Sequence, residues 1–478
     1  MKNLFFILDQ GTTHHKLVIF DDGGHLIDAC EKHAPILESH ADGLGFDALE
    51  LTAVSNSLIS EALIKYPNRF FAFGFANQGE TVLAWEKSTG KPLSRMVSWQ
   101  CQDAAHLLEE KSSLFSRIQE ITGLKPSPYF SAAKLEKLLR TNVRVQEAAL
   151  ADDLVFGTLD TWMISQWTKR RTLVTDPTTA CRTQLYDIST LTWSDELMDA
   201  FHLKPAYFSR VLSNDGFDIE CDDGPFLHSP LPLLASLCDQ PAALIGHGGL
   251  DGEVLKISFG TGAFVDLSTR ACLKEENLLT SVLTAGGCGV SYYLEGGVLS
   301  FASAIEWMEK NFWINRTEIF SALNQDLPIS VLPAFSGLGA PFFLAEQKTM
   351  IAGIGLEHTA KDIAVAGTQA LVFRIAQIIE EMQRHVKIPL QIEVDGGLSG
   401  ADFLIQFLAD VCQRQVIVRN HPQMTAEGVA KTILKKLGSP GEIQAFGSSC
   451  MIDVNNNFPA RKYREWKDAF QKMRDWEV

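Results

Sequence analysis

The sequence predicts an α/β protein made of two similar domains, and three observations support this prediction. Apolar runs of strand length alternate with segments of helical periodicity along the whole chain. A unit of strand, Gly/Thr-containing turn and strand occurs twice, about 250 residues apart. The chain has 478 residues, of which 46% are hydrophobic, so two large domains can each bury a core.

The N-terminal segment is predicted to begin with three strands. Apolar runs of strand length occupy residues 4–8, 16–20 and 26–30. The sequence Asp21-Asp22-Gly23-Gly24 separates the last two runs and is typical of a hairpin turn. The chain therefore starts as a small sheet whose first turn, after residue 8, contains Gly and Thr.

A similar unit is predicted in the second half of the chain. Strands are predicted at residues 256–259 and 263–267, and Gly260-Thr261-Gly262 lies between them. We interpret the recurrence as a weak internal duplication that gives two domains facing each other. Chance is the alternative, because short Gly/Thr turns between strands are common.

Helical periodicity fills much of the remaining chain. Apolar residues recur at helical spacing in residues 135–139, 363–382 and 403–411, and a strand is predicted at 390–394. The change of domain is predicted in the glycine-rich segment 245–252, which follows an apolar stretch. The predicted domains are residues 1–248 and residues 249–478.

Charge and composition exclude several classes of protein. The chain has 42 Lys+Arg against 58 Asp+Glu, a net charge of −16, which argues against binding to nucleic acid or to an anionic membrane surface. An anionic nucleotide is still compatible, because a cleft can be locally positive. The nine cysteines include no CxxC pair, and we find no signal peptide or bilayer-spanning segment. We expect a cytoplasmic protein.

Three turns are candidates for contact with phosphates or a nucleotide. The first is Asp9-Gln10-Gly11-Thr12-Thr13, directly after the first strand, and the second is Gly260-Thr261-Gly262. Glycine allows close backbone approach, and Thr adds hydroxyl and N–H donors. The third is Gly396-Gly397, between a strand and a helix, where a ring or a sugar can approach the backbone. A plain hairpin turn or a tight corner is the alternative for each.

Two charged residues near the first turn have candidate roles. Asp9 stands at the end of a strand, where a carboxylate can hold a hydrated Mg²⁺ ion. Lys16 can place positive charge near the phosphates, although a solvated strand end is an equal alternative.

Several motifs, taken together and in order, resemble the FGGY carbohydrate kinases and, within that family, the glycerol kinase branch. The segments that carry the resemblance are Asp9–Thr13, Asn77–Thr81, Trp99–Cys101, Ser127–Leu135, Phe156–Trp162, Asp239–Leu244, Phe259–Phe264, Pro333–Pro341 and Val394–Gly397. The resemblance covers roughly residues 4–440, and each motif alone is modest.

The resemblance implies a fold and an activity. The fold is two duplicated actin-like, ribonuclease-H-like domains with the active site in the cleft between them. The activity is phosphorylation of a hydroxyl group of a small polyol or sugar, with ATP and Mg²⁺. A nucleotide-binding regulator or pseudokinase on the same fold is the alternative function. The resemblance leaves the oligomeric state open, with a homodimer as one alternative.

The resemblance also assigns site residues. Asp239 matches the catalytic base, although a cap for a helix starting at Pro241 or Ala242 is the alternative role. The matched substrate-binding residues are Glu80, Trp99, Tyr129, Asp239, Gln240 and Phe264. The matched nucleotide-binding residues are Gly11, Thr12, Thr13, Lys16, Gly260, Thr261, Gly396 and Gly397, and Asp9 is the matched metal residue. Carboxylates accept hydrogen bonds from hydroxyls and aromatic rings pack on C–H faces, but each aromatic residue alone is more often a core residue.

The chain departs from the glycerol kinase pattern at several positions. Gly79 stands where that branch has an Arg that donates to the polyol. The other departures are Lys16, Gln102, Asp103, Lys137, Ala302, Glu306 and Ala401, and those at 302, 306 and 401 leave the nucleotide preference open. We predict an empty space beside Gly79 and a higher kcat/KM for a four- or five-carbon polyol or ketose than for glycerol. The alternative is that another side chain supplies the missing donor.

Overall fold

The computed structural model describes residues 3–287, 289–419, 423–438 and 449–476. All predicted site residues belong to these ranges. The predicted domain ranges also contain residues 1–2, 288, 420–422, 439–448 and 477–478, which lie outside the described residues.

The described residues form strands and helices along the whole chain, as the α/β prediction requires. The strands are β1 (Leu4–Gln10), β2 (His14–Asp21), β3 (Leu26–His33), β4 (Glu38–His40), β5 (Gly43–Phe46), β6 (Phe70–Asn77), β7 (Val82–Glu86), β8 (Met96–Val97), β9 (Leu154–Thr158), β10 (Val174–Thr175), β11 (Tyr186–Asp187), β12 (Thr192–Trp193), β13 (Arg210–Val211), β14 (Ile219–Cys221), β15 (Leu231–Cys238), β16 (Leu255–Phe259), β17 (Ala263–Thr269), β18 (Leu279–Gly286), β19 (Gly289–Val298), β20 (Ser330–Leu332), β21 (Met350–Ala352), β22 (Gln391–Gly396), β23 (Gln415–Arg419) and β24 (Ser449–Ile452). The α-helices are α1 (Ala48–Lys65), α2 (Ala105–Glu109), α3 (Phe115–Thr122), α4 (Ser131–Thr141), α5 (Val143–Leu150), α6 (Leu159–Trp167), α7 (Pro177–Ala180), α8 (Asp195–Ala200), α9 (Asp239–Gly246), α10 (Ala302–Phe312), α11 (Arg316–Phe320), α12 (Ala360–Gln383), α13 (Asp402–Cys412), α14 (Met424–Lys436) and α15 (Phe458–Arg474).

The first half of the chain is built on a six-stranded sheet in the order β14-β15-β6-β1-β2-β3. Strand β1 pairs antiparallel with β2 and parallel with β6, and β6 pairs parallel with β15. Both faces of β1 are covered: Phe5 and Ile7 belong to one core cluster, whereas Leu4, Phe6 and Leu8 belong to another. This burial on two sides explains why the run of residues 4–8 contains no polar residue.

The second half repeats this arrangement. Its seven-stranded sheet has the order β18-β19-β17-β16-β22-β23-β24. Strand β16 pairs antiparallel with β17 and parallel with β22, and β22 pairs parallel with β23. The sequence β23-β22-β16-β17-β19 therefore has the same strand directions as β15-β6-β1-β2-β3, and the predicted duplication is confirmed.

The long helix α12 forms the centre of the second core. Thr359 and Asp362 make a reciprocal capping box at its N-terminus. Among the described residues, α12 is the one helix long and apolar enough to cross a membrane by length and composition, but 83% of its most apolar window is buried inside the protein. Its apolar character is thus explained by packing in the core.

Helix α14 belongs to the second half of the sequence but packs against the first sheet. Ala426, Val429 and Ile433 share a core cluster with Phe5 and Ile7 of β1. The chain itself passes from the first sheet to the second between α9 and β16, in residues 247–254, where the predicted domain boundary lies. The chain crossing and the packing of α14 therefore both help to hold the halves together.

The predicted functional turns lie at the carboxyl ends of parallel strands. Strands β1, β6 and β15 end at Gln10, Asn77 and Cys238, in register with one another. Strands β16 and β22 end side by side at Phe259 and Gly396. In open α/β sheets this edge is where loops build ligand sites. The residues that follow these strand ends come from both halves of the chain.

Candidate active site

A cavity of about 130 Å³ lies between the two halves. All six predicted substrate-binding residues line it: Glu80, Trp99, Tyr129, Asp239, Gln240 and Phe264. The other lining residues are Thr12, Gln78, Gly79, Arg182, Cys238, Asp266 and Glu295. A small concave site with many polar side chains suits a ligand with several hydroxyl groups.

Glu80 stands in the short connection between β6 and β7. Its φ of 59° is in the left-handed region, which is uncommon for a residue with a side chain. The side chain of Arg182 donates from Nε to Oε1 of Glu80 at 2.6 Å, and Lys134 Nζ donates to the Glu80 carbonyl at 3.3 Å. Burial raises the pKa of the Glu80 carboxyl, while the charge of Arg182 opposes this rise. The carboxylate is therefore held in one orientation.

Trp99 and Tyr129 form an aromatic wall of the cavity. Their ring centroids are 5.6 Å apart at an interplanar angle of 63°. The indole Nε1 of Trp99 donates to Thr12 Oγ1 at 2.9 Å, and Thr12 donates to Gln78 Oε1 at 3.0 Å. The first Gly/Thr turn is thus joined to the aromatic wall. Both rings are half-buried, in contrast to core aromatics such as Trp85 and Trp162.

Asp239 lies where β15 ends and α9 begins. Helix α9 starts at Asp239 and its N-cap is Cys238, so the alternative of a cap for a helix starting at 241 or 242 is wrong. The backbone N–H of Gln240 donates to Asp239 Oδ1 at 2.7 Å. Burial raises the pKa of the Asp239 carboxyl, and this N–H and the charge of Lys256 partly oppose the rise. A half-buried carboxylate of raised pKa is suited to accept a proton.

Asp9 lies at the end of β1, in register with Lys16 on β2. Burial, followed by the charge of Asp239, raises the pKa of Asp9 to about 7, and Lys16 partly opposes this. The described residues contain no cluster of three or more His, Cys, Asp or Glu side chains that would enclose a metal. A hydrated Mg²⁺ ion needs only one or two carboxylates beside phosphate and water, so Asp9 and Asp239 fit such an ion.

The other two turns stand next to each other on the second half. In the β16–β17 turn, Gly260 N–H donates to the Gly262 carbonyl at 2.8 Å. Gly397 N–H donates to the Phe259 carbonyl at 2.8 Å, which joins the β22 turn to the end of β16. Gly396 has a φ of 90°, and a Cβ there would meet the Phe259 carbonyl, so only glycine fits. Gly397 has open space around it.

Three charged residues that line the cavity were missed by the sequence analysis, namely Arg182, Asp266 and Glu295. Lys256, which contacts Asp266, was missed as well. Lys256 is fully buried, with its Nζ 3.2 Å from Asp266 Oδ2 and 3.4 Å from Gln240 Oε1. Arg182 binds Glu80, which is 102 residues away in the sequence. Lys256 and Asp266 face each other across the β16–β17 hairpin, so the pairing of the two predicted strands could have found them. No spacing or local pattern connects Arg182 with Glu80, because the fold alone brings them together.

The predicted empty space beside Gly79 is wrong. A Cβ placed on Gly79 would lie 2.9 Å from Cys238 Sγ and 3.6 Å from Arg182 Cγ. These two side chains occupy the room that the absence of a side chain leaves. Arg182 also supplies a cation at this wall of the cavity, whereas Gln102 and Asp103 are exposed.

Comparisons with known proteins show the family. Models of the FGGY family of carbohydrate kinases match the chain: the N-terminal domain at residues 4–246 and the C-terminal domain at residues 255–434. Glycerol kinase 1 of Thermotoga maritima is 31% identical, with 98% of each chain covered.

Solved structures share the fold. Glycerol kinase of Plasmodium falciparum with ADP superposes with a TM-score of 0.91 at 22% identity, covering 100% of this chain and 99% of that one. Xylulose kinase of Lactobacillus acidophilus superposes with a TM-score of 0.86 at 18% identity, covering 98% of each.

The fold and the cleft define a two-domain phosphotransferase that uses an alcohol group as acceptor. The chain belongs to the FGGY family of carbohydrate kinases. Its substrate is therefore a small carbohydrate.

Proposed function

We propose that this protein transfers the γ-phosphoryl group of ATP to a hydroxyl group of a short polyol, with Asp239 as the general base. The observation that carries the proposal is the cavity of about 130 Å³ in which Glu80, Tyr129 and Asp239 converge. Carboxylates accept hydrogen bonds from neighbouring hydroxyls, and an aromatic ring covers the C–H face of the ligand. The cavity stands next to the turns proposed to bind phosphate.

In the proposed reaction the acceptor hydroxyl gives its proton to the Asp239 carboxylate. Its oxygen then bonds to the γ-phosphorus, the bond from that phosphorus to the β–γ bridging oxygen breaks, and ADP leaves. Burial keeps the pKa of Asp239 above its ordinary value, which makes the carboxylate a better proton acceptor. Glu80, Trp99, Tyr129, Gln240 and Phe264 orient the polyol so that one hydroxyl is near Asp239.

The nucleotide is proposed to bind at the three turns. Gly11, Thr12, Thr13, Gly260 and Thr261 offer backbone N–H and hydroxyl donors to phosphate oxygens. Gly396 and Gly397 would lie against the nucleoside. Lys16 contributes positive charge beside Asp9.

A magnesium ion is proposed at Asp9, with Asp239 nearby. When bound there, Mg²⁺ would neutralise phosphate charge. The support for this position is the raised pKa of Asp9, caused first by burial and then by the charge of Asp239. A cation bound there would stabilise the buried, ionised carboxylate and offset its repulsion by Asp239.

The polyol is proposed to be short, with glycerol as the first candidate. Cys238 and Arg182 occupy the room beside Gly79, so the argument for a larger substrate no longer applies. The 31% identity to a protein named glycerol kinase over 98% of each chain supports the same choice. We now expect a higher kcat/KM for glycerol than for four- and five-carbon polyols or ketoses.

The test is a kinetic panel of glycerol, tetritols, pentitols and ketopentoses with Mg·ATP, using wild type and Asp239→Asn. We expect turnover of at least one polyol, and a loss of about 10²–10⁴ in kcat for Asp239→Asn with nucleotide affinity retained. Near wild-type turnover in a folded Asp239→Asn protein would exclude this residue as the base. Nucleotide binding without turnover of any acceptor would favour the alternative, a regulator or pseudokinase on the same fold.

Four further proposals concern the location, partners, domains and assembly of the enzyme. We propose a cytoplasmic location, supported by the eight cysteines of the described residues, all of which are free thiols. We propose that neither nucleic acid nor membrane is a partner, in line with the net charge of −16. Domains divided at 248/249, and a homodimer as one alternative to the monomer, also stay proposals.

A further inference from the structure

Arg182 connects the polyol cavity with the second half of the molecule. It stands in a short 3₁₀ turn, Cys181–Thr183, directly after α7, and it is 4% exposed. Its Nε donates to Glu80 Oε1 at 2.6 Å. Its Nη1 donates to Ser281 Oγ at 3.0 Å and to Glu295 Oε2 at 3.2 Å. Glu80 follows β6 of the first sheet, whereas Ser281 and Glu295 lie on β18 and β19 of the second.

The surroundings leave the guanidinium group little freedom. Its Cζ lies 5.2 Å from the centroid of the Phe130 ring, next to Tyr129 of the aromatic wall. A planar guanidinium with donors in fixed directions holds a carboxylate in a defined orientation, which a flexible ammonium group does not. A change in the contacts on the Ser281 side would therefore change the orientation of Glu80.

Stability alone is a poor explanation for this arrangement. A buried ion pair costs desolvation free energy that often cancels its attraction, so such pairs are better explained by specific positioning. Arg182 stands between two buried carboxylates that come from different sheets. Arg182 lies in the cavity wall beside Glu80, the carboxylate proposed to bind the polyol. Glu80 is therefore the group that Arg182 would position.

We propose that Arg182 is a positioning residue that couples polyol recognition by Glu80 to the contact between the two domains. The inference rests on the proposed function, in which Glu80 binds the polyol. Arg182 orients the Glu80 carboxylate only while Ser281 and Glu295 hold the other side of the Arg182 guanidinium group. Polyol affinity thus depends on a contact of the second domain that does not reach the polyol.

Ser281 provides the sharpest test, because it contacts Arg182 but is not among the described residues that line the cavity. We would measure KM for the polyol, KM for ATP, kcat and Tm for Ser281→Ala, Arg182→Lys and the double variant. Thr284→Ala on the same strand, β18, is the matched control, since Thr284 lies three residues further along the strand and lines a different cavity.

We expect Ser281→Ala to raise the polyol KM roughly threefold to tenfold, which is the usual net contribution of one hydrogen bond, with the ATP KM unchanged. Arg182→Lys should raise the polyol KM further, because the fork geometry is lost while the charge is kept. In the double variant the two factors should not multiply, since both changes remove the same contact. Thr284→Ala should match wild type.

Three results would overturn the inference. One is an unchanged polyol KM in both single variants of an active protein. Another is an equal rise of the polyol and ATP KM values, which would indicate general loosening of the domains. The third is factors that multiply in the double variant. A wild-type protein that phosphorylates no polyol or sugar would instead overturn the proposed function, and this inference with it.

Discussion

At the scale of single residues, the burial of Asp9 lowers the stability of the ligand-free protein, although Asp9 is proposed to hold the magnesium ion. Burial, then the charge of Asp239, raises its pKa from 3.8 to about 7 in the folded protein. The folded state therefore holds a proton on Asp9 that the unfolded state releases between these two pH values, and folding stability falls as pH rises through this window. Above about pH 7 the ionised Asp9 imposes its full destabilising effect on the ligand-free protein.

We therefore predict that Asp9→Asn raises the Tm of the ligand-free protein at pH 8 and weakens use of Mg·ATP. Each kcal/mol regained should raise Tm by roughly 2–4 °C. At pH 4 the gain should nearly vanish, because the wild-type carboxyl is then protonated when folded. Calorimetry at the two pH values, with Mg²⁺ titrations of activity, checks both parts. An equal Tm gain at both pH values would contradict the assignment to ionisation of Asp9.

Gly79, which has no side chain, and Cys238, whose side chain lies beside it, are matched in size. Because a Cβ on Gly79 would lie 2.9 Å from Cys238 Sγ, we predict that Gly79→Arg lowers kcat/KM for every polyol by about tenfold or more. The same change combined with Cys238→Gly should recover part of the loss, whereas Cys238→Gly alone should favour larger polyols. Steady-state kinetics of the three variants is the measurement. Improved glycerol turnover in Gly79→Arg alone would mean that the space beside residue 79 is open after all.

At the scale of secondary-structure elements, the contact of α14 with α9 depends on a glycine in the middle of a helix. Replacing a helical glycine by alanine normally stabilises a protein by about 0.5–1 kcal/mol. Gly428 lies against the Ala242 carbonyl of α9, and a Cβ there would overlap backbone atoms that cannot move aside. The packing of the two helices thus outweighs the local helix propensity.

We predict that Gly428→Ala lowers the free energy of unfolding by about 1–3 kcal/mol, the usual cost of overpacking. Denaturant unfolding measures this value. Gly252→Ala is the matched control, because a Cβ on Gly252 meets nothing within 4 Å, and it should be close to neutral. A stabilised Gly428→Ala protein would show that α14 can shift away from α9 without loss.

At the scale of the whole molecule, the two sheets meet around a cleft that must exclude water for transfer to compete with hydrolysis of ATP. His247, just after α9, contacts Glu393 of β22 at 3.3 Å and Asp395 at 3.0 Å. His247 belongs to the segment 245–252, where the change of domain is predicted and where we expect a hinge. A pivot held at this point would allow the carboxyl ends of the parallel strands to approach each other.

We predict that the domains close when both substrates bind. Small-angle scattering should give a smaller radius of gyration with polyol plus a non-hydrolysable ATP analogue than with either ligand alone. Asp239→Asn with polyol and ATP is a useful second sample, since it should bind both and turn over slowly. An unchanged radius at saturating ligand would speak against a hinge in residues 245–252.

Sequence patterns were sufficient for features that depend on neighbouring residues. Local burial and backbone conformation leave a pattern in neighbouring residues. The structure contains β1 and β16 where strands were predicted at 4–8 and 256–259, α12 where helical periodicity was found at 363–382, and turns at the predicted glycines. The duplication could be predicted for the same reason, since the strand–turn–strand unit in each half is a local pattern. The six substrate-binding residues named by motif line one cavity together with Thr12, whereas the other predicted nucleotide and metal residues are not among the residues that line it, and the roles of all of them stay predictions.

What the sequence by itself determined is therefore the two-domain α/β class and local elements such as β1, β16 and α12, while the resemblance to a known family named the candidate cleft segments. Only the tertiary structure determined which side chains lie between those segments. Arg182 reaches Glu80 across 102 residues and Glu295 across 113, and Cys238 fills the space beside Gly79 across the β6–β15 pair. The physical reason is that periodicity reports which face of an element is buried, whereas charge pairing and volume matching depend on which elements meet.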